Sequence, residues 1–319
     1  MFSVSFQTSS LAVLQIFLLG AVGYVLARRG VLAGDGFKIL SFLLINIFFP
    51  SFTFYRLTHY FDFKTMPLWW ALPLVNIGVI AAGYFLSSLL LIKRKVPYKN
   101  EFRAVLAFQN SGYIPLLMAS TLPLGEKSGV LSTYILVSLV GYDILLWSLA
   151  VWLLRRAKNE NGFALKQLIN PPLIALFSAL GLVALGWQQA LPEDLLKPIK
   201  MLGDCAMPIA MIVIGGRLAL TNLGRVSWPD MAVVCVGKLI IMPILGLIVV
   251  GLLKPEALLG LLIVMQTAVP TAVTLSIIGQ HYENRQVEFL NQSIFFTHLL
   301  SILTLPIFLA LLGYLALGY

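Results

Sequence analysis

Two short runs carry the side chains best suited to holding a solute. One is Phe108-Gln109-Asn110-Ser111-Gly112-Tyr113-Ile114-Pro115; the other is Met265-Gln266-Thr267-Ala268-Val269-Pro270-Thr271. In both, amide and hydroxyl groups flank a proline inside an apolar stretch. Proline removes one backbone donor and clashes with the carbonyl four residues back, so a helix through it must bend or break. Gly112 adds backbone freedom just before the first proline. The freed groups need partners in protein or in a water-filled cavity. A half-helix that restarts after a break opens with unused N–H groups, which favour an anion. Asn110, Ser111, Gly112, Pro115, Gln266, Thr267, Pro270 and Thr271 are therefore candidate solute ligands that need no bare charge. A third polar patch, Asn291, Gln292, Ser293, Thr297 and His298, follows near the C-terminus. Asn291 and Gln292 are expected to line the same cavity. His298 reads either as a proton sensor or as a satisfied interior histidine.

Charged side chains are scarce in apolar stretches because each costs at least about 2.5–3.5 kcal/mol at a bilayer centre. Asp143, Asp204 and Lys238 nevertheless lie in such stretches. Lys238 needs a counter-charge, a cavity or loss of its proton. Asp143, at similar depth, is the expected partner, as a static pair or as a coupling group.

These residues must be positioned by membrane-crossing elements. The chain has 319 residues, of which 59% are hydrophobic and 11% charged, with mean hydropathy +0.92. Soluble domains are roughly 45–50% apolar and about 25% charged, so a soluble enzyme, a disordered chain and a nucleic-acid-binding domain are excluded. Ten stretches are long enough to span, near 8–28, 36–58, 67–92, 102–122, 129–154, 171–188, 194–219, 229–252, 256–279 and 287–316. The first does not read as a cleaved leader, because Arg28 and Arg29 follow the apolar run. Lys and Arg gather in alternate loops. Fifteen, from Arg28 to Arg285, fall on one side; Arg56, Lys64, Lys127, Lys197, Lys200 and Lys254 fall on the other. That bias puts both termini outside the cytoplasm, and the net charge of +9 belongs to this rule. Cys205 and Cys235 form no metal or disulfide pattern and read as small core side chains.

The chain also repeats itself. Phe37 to Pro50 and Leu195 to Pro208 are equal steps, offset by 158; Glu101 to Pro115 and Glu256 to Pro270 are equal steps, offset by 155. A unit of five spans, residues 1–160 and then 161–319, forces the second copy to be inverted. Pro50 and Pro208 have apolar neighbours and read as packing kinks, with Asn46 and Asp204 as polar supports. Broken helices at matching places in two inverted halves point to a transporter site. The fold class is thus all-α and polytopic: ten transmembrane helices in two inverted five-helix repeats, with broken spans 4 and 9 crossing.

The ordered set NIFFPSFTFYRL, FQNSGYIP, MPIAMIVIGGRLA, KLIIMP, MQTAVPTAVTLSIIGQHY and NQSIFFTHLLSILTLP resembles the auxin efflux carrier family over nearly the whole chain. Spans 5 and 6 are joined by only about 16 residues, so the chain resembles the compact bacterial members, described as malate or malonate permeases. The resemblance implies a scaffold of helices 1, 2, 6 and 7 (about 8–58 and 171–219). It implies a transport core of helices 3–5 and 8–10 (about 67–154 and 229–316) that moves like an elevator. It places the solute at the crossing of spans 4 and 9. It also implies an organic anion as substrate, a carboxylate or an auxin-like acid, in a bacterial inner membrane. A homodimer through scaffold helices is compatible with it, no cofactor is needed, and a coupling H+ or Na+ is left open. The alternative is a sodium-coupled symporter of the bile acid type, which shares this architecture; the second crossover holds Gln266 where that type carries a carboxylate. A sodium–proton antiporter would need carboxylates at the crossing. No H-E-x-x-H, G-x-S-x-G or aspartate-rich cluster supports an enzyme, and paired broken helices favour a carrier over a channel.

Overall fold

The computed structural model describes residues 2–32, 34–155, 170–224, 226–282 and 284–316. Among them the chain is helical and contains no strand. In chain order the helices are α1 (Phe6–Arg28), α2 (Gly36–Tyr60), α3 (Trp69–Leu91), α4 (Lys99–Ala107), α5 (Tyr113–Thr121), α6 (Lys127–Leu154), α7 (Pro171–Ala184), α8 (Glu193–Ala219), α9 (Trp228–Leu253), α10 (Ala257–Ala268), α11 (Thr274–His281) and α12 (Val287–Tyr314). Seven of them, α1, α2, α3, α6, α8, α9 and α12, are long and apolar enough to cross a bilayer. The stretches expected as spans 4 and 9 are each two short half-helices, α4 with α5 and α10 with α11. The expected boundary between repeats, with Arg156, Lys158 and Lys166, lies outside the described residues, as does Arg225.

Prolines shape the long helices as their chemistry requires. Leu44–Phe48 and Gly237–Ile241 are π-helical turns, each ending two residues before a proline, Pro50 and Pro243. Widening the turn accommodates a residue that cannot donate its hydrogen bond and crowds the preceding carbonyls. A third π turn, Leu146–Ala150, has no proline near it. Asn46 donates to the Phe42 carbonyl at 2.8 Å, and Asp204 accepts from Lys200 at 2.6 Å. Both polar groups are thus tied within their own helices. Cys235 is buried, but Cys205 is exposed, contrary to its expected core role; it sits where α8 shifts register just before Pro208.

The polarity of the molecule is inverted, as lipid requires. Leu11, Leu18, Phe42, Phe85, Trp152 and Leu252 point outward, whereas Asn76, Gln109, Ser111, Lys238, Gln266, Thr271 and His298 are almost wholly enclosed. Small residues allow close backbone approach. α1 runs against α8, and a Cβ on Gly215 would overlap the Gly20 carbonyl oxygen. α3 lies against α4 and α6, and α12 against α1, α9 and α10.

Polar latches fix the outer ends of the half-helices. Glu101, at the start of α4, accepts from Asn284 at 2.7 Å; Glu256, just before α10, accepts from the Tyr134 hydroxyl at 2.6 Å. Asp230 accepts from Arg94 and Tyr98, both at 2.5 Å, and from Ser227 at 2.6 Å, tying the α3–α4 connection to α9. Burial, and then this bond to Asp230, push the Tyr98 hydroxyl above its ordinary pKa.

Candidate functional site

The two breaks meet and bond to each other. Gln109 and Thr271 form an antiparallel bridge. Asn110 N donates to the Pro270 carbonyl at 2.8 Å, and Ala272 N to the Phe108 carbonyl at 3.0 Å. Each interruption therefore satisfies backbone groups that the other one frees. This is the condition for irregular backbone at membrane depth.

Side chains complete the crossing. Gln266 Nε2 donates to the Ser111 carbonyl at 3.0 Å, and Thr271 Oγ1 to the Val105 carbonyl at 3.0 Å. Thr271 N reaches Thr297 Oγ1 at 3.3 Å. Gln109 Nε2 and Ser111 Oγ both donate to Asn76 Oδ1, at 2.9 and 3.2 Å. Asn76 Nδ2 in turn donates to the carbonyl and hydroxyl oxygens of Ser138, each at 3.0 Å. A carbonyl can only accept, so these contacts fix which way the amides point. They leave Gln109 Oε1 and Gln266 Oε1 buried without partners among the described residues.

His298 closes the site from α12. Its Nδ1 lies 2.8 Å from the Ile294 carbonyl, and its Nε2 lies 3.4 Å from Asn110 Nδ2. The carbonyl requires the proton on Nδ1, so Nε2 offers a lone pair to the Asn110 amide. Beside the ring is a cavity of about 330 Å³ lined by Ile16, Tyr24, Ile114, Gly215 and Leu218 among others. The first N–H groups of α5, after Gly112, belong to no intrahelical bond. Pro115, the third residue of α5, contributes no N–H.

The structure rearranges several expectations. Asn110, Ser111, Gly112, Gln266, Pro270 and Thr271 do come together. Thr267 is spent locally: its hydroxyl donates to the Ile263 carbonyl at 3.1 Å, and it lines a separate apolar cavity of about 780 Å³ among α3, α9 and α10. Asn291 and Gln292 do not reach the crossing. Gln292 Nε2 donates to the Asn222 carbonyl at 3.1 Å, and Asn291 lines another cavity of about 230 Å³. Thr297 and His298, one to two turns further along α12, reach the crossing in their place.

The expected Lys238–Asp143 pair is not formed; among the described residues no ion pair joins them. Lys238, fully buried, donates to the Leu106 carbonyl at 2.9 Å. In an unbroken helix that carbonyl would accept from Asn110 N, which here bonds to Pro270. Lys238 thus caps the C-terminal end of α4, where the helix dipole also favours a cation. Asp143 instead is half-buried on α6 and takes part in no ion pair among the described residues. A prediction follows for Lys238. Lys238→Gln keeps a donor for Leu106, whereas Lys238→Leu leaves that carbonyl unpaired at a cost of about 1–3 kcal/mol. The Leu variant should unfold at the lower temperature in detergent, and equal melting of the two would remove the capping role.

Asn76 and Ser138 were not anticipated, although Asn76 is conspicuous as an amide in the apolar α3. No group of three or more His, Cys, Asp or Glu able to hold a metal occurs among the described residues.

Comparison with known proteins places the chain among membrane transporters. The chain is 25% identical to Protein PIN-LIKES 1 of Arabidopsis thaliana, over 89% of this chain and 74% of that protein. It is 23% identical to Protein PIN-LIKES 3 of the same plant, over 89% and 91%. An uncharacterized transporter of Schizosaccharomyces pombe is 33% identical over 34% of this chain and 25% of its own length. These relatives point to a transporter and not to an enzyme. The sequence model described as "Membrane transport protein" matches residues 8–309, and the chain, integral to the membrane, belongs to that family, which is the family of the auxin efflux carriers.

Proposed function

We propose that the chain is a secondary carrier of small organic anions, working by elevator-type alternating access. One observation carries the proposal: two interrupted helices whose breaks are stitched together by neutral amides, hydroxyls and exchanged backbone bonds. A carboxylate held by Asn110 and the first N–H groups of α5 would need no fixed positive charge there. In this reading the chain is ten spans in two inverted repeats. The paired latches at Glu101 and Glu256 support it, because they fall at matching positions of the two halves. α1, α2, α7 and α8 are the scaffold, with a homodimer contact on their outer face. α3 to α6 and α9 to α12 are the moving core. The Lys/Arg-rich loops face the cytoplasm of a bacterial inner membrane, and both termini face away from it.

The test is counterflow in proteoliposomes loaded with malate, malonate or indole acetate, with and without sodium and a pH gradient. Accelerated uptake of at least one labelled carboxylate is expected. Folded protein that exchanges none of them would sink the substrate class. The sodium-coupled alternative has a specific observation in its favour. Among the described residues Gln109 Oε1 and Gln266 Oε1 are buried acceptors without partners, and amide oxygens suit a hard cation. Strict sodium dependence in the same assay would favour that alternative; sodium independence would dismiss it.

A further inference from the structure

At the crossing Lys238 is spent on the Leu106 carbonyl, yet two further cations lie together nearby. Arg217, near the end of α8, and Lys38 of α2 both line the cavity of about 230 Å³. Ser276 and Gln280 of α11, Asn291 of α12 and Thr221 line it as well, and no carboxylate does so among the described residues. α2 brings Lys38 here because the neighbouring Phe37 packs on Gly216; a Cβ on that glycine would run into the phenyl ring. Arg217 is half-buried and makes no ion pair among the described residues. A half-buried guanidinium without a counter-charge favours an anion beside it, and its forked donors match a carboxylate.

Three features set the ligand and the direction. The cavity is smaller than the roughly 300–1,000 Å³ of drug-sized sites, so the ligand is small. Leu218 lines this cavity and also the apolar one beside His298, so the two share a wall. The lining comes from α2 and α8 on one side and α11 and α12 on the other, the two parts that an elevator slides past each other.

We propose that Arg217, with Lys38, Ser276, Gln280 and Asn291, forms an anion-capture site on the Lys/Arg-rich side, where a carboxylate is held before it reaches the crossing. The site rests on the carrier reading for its place in transport, but its anion binding does not.

The experiment therefore has two arms. In the first, purified full-length protein is titrated with malonate, malate, indole acetate and inorganic phosphate, and its thermal unfolding is followed. At least one carboxylate is expected to raise the unfolding temperature of the wild type. Arg217→Gln should abolish that shift, and Arg217→Lys should retain part of it. In the second, exchange is measured in liposomes of known protein orientation. Arg217→Gln should raise the half-saturating concentration at least tenfold from the Lys/Arg-rich side, with little change from the other side and in maximal rate. No shift in the wild type with any anion, or a shift that survives Arg217→Gln, overturns the site. Phosphate alone giving the shift overturns its carboxylate selectivity. Equal loss of affinity from both sides would overturn its one-sided placement and merge it with the crossing. A shift that depends on Arg217 in protein that exchanges nothing keeps the anion site and drops the carrier.

Discussion

Asn110→Ala is expected to lower carboxylate counterflow by about 10–100-fold, close to the rate of protein-free liposomes, while the protein stays folded and inserted. The size follows from losing a hydrogen bond to a charged group, worth about 1.5–3 kcal/mol, with each 1.4 kcal/mol being tenfold. Folding should survive because the crossing is held through the backbone of residue 110. Its N–H bonds to the Pro270 carbonyl, and alanine keeps that donor. Among the described residues the side chain makes a single hydrogen bond, to His298 Nε2 at 3.4 Å. Its loss should cost folding only about 1 kcal/mol. The check pairs counterflow with size-exclusion elution and thermal unfolding of the same preparation. Wild-type exchange by the variant would take Asn110, and with it the crossing, out of the mechanism.

The breaks themselves were legible because proline acts locally. Pro115 and Pro270, each with hydroxyls and amides beside it, announced interrupted helices wherever they sat in space. Partners distant in sequence were not legible. Asp143 looked like the mate of Lys238 because both are charged and similarly deep, but depth does not say which way a side chain points. The carbonyl that Lys238 caps becomes available only because Asn110 N turns to Pro270, a bond between residues 160 positions apart. Asn291 and Gln292 were misplaced for a related reason. The polar patch on α12 is longer than one turn, so its members face different cavities, and periodicity alone could not say which face meets the crossing. Arg217 looked like an ordinary member of a positive loop until α2 and α12 were folded around it.

The second large effect concerns the packing that holds the first break. Along α3, Asn76, Ile80, Gly83 and Ser87 are all buried, at the spacing of one helix face. Asn76 reaches into the crossing, and Gly83 lets the α3 backbone sit directly on the end of α4. A Cβ at Gly83 would overlap the Leu106 carbonyl oxygen and lie 2.8 Å from Ala107 Cα. Those are backbone atoms, and the same carbonyl is the acceptor of Lys238. Gly83→Ala must therefore push α3 from α4 or displace the Lys238 bond, costing about 1–3 kcal/mol as overpacked sites do. Gly78 on the same helix provides the comparison, since a Cβ there meets nothing within 4 Å. Gly78→Ala should stabilise by about 0.5–1 kcal/mol, the ordinary gain in helix propensity. The two variants add the same methyl to the same helix, so composition and propensity cancel and only the neighbours differ. Thermal unfolding in one detergent should place Gly78→Ala at or above wild type and Gly83→Ala clearly below it, with exchange reduced in the latter alone. Equal unfolding temperatures would mean that α3 does not touch the broken end of α4, and the support assigned to Lys238 and Asn76 would lose its geometric basis.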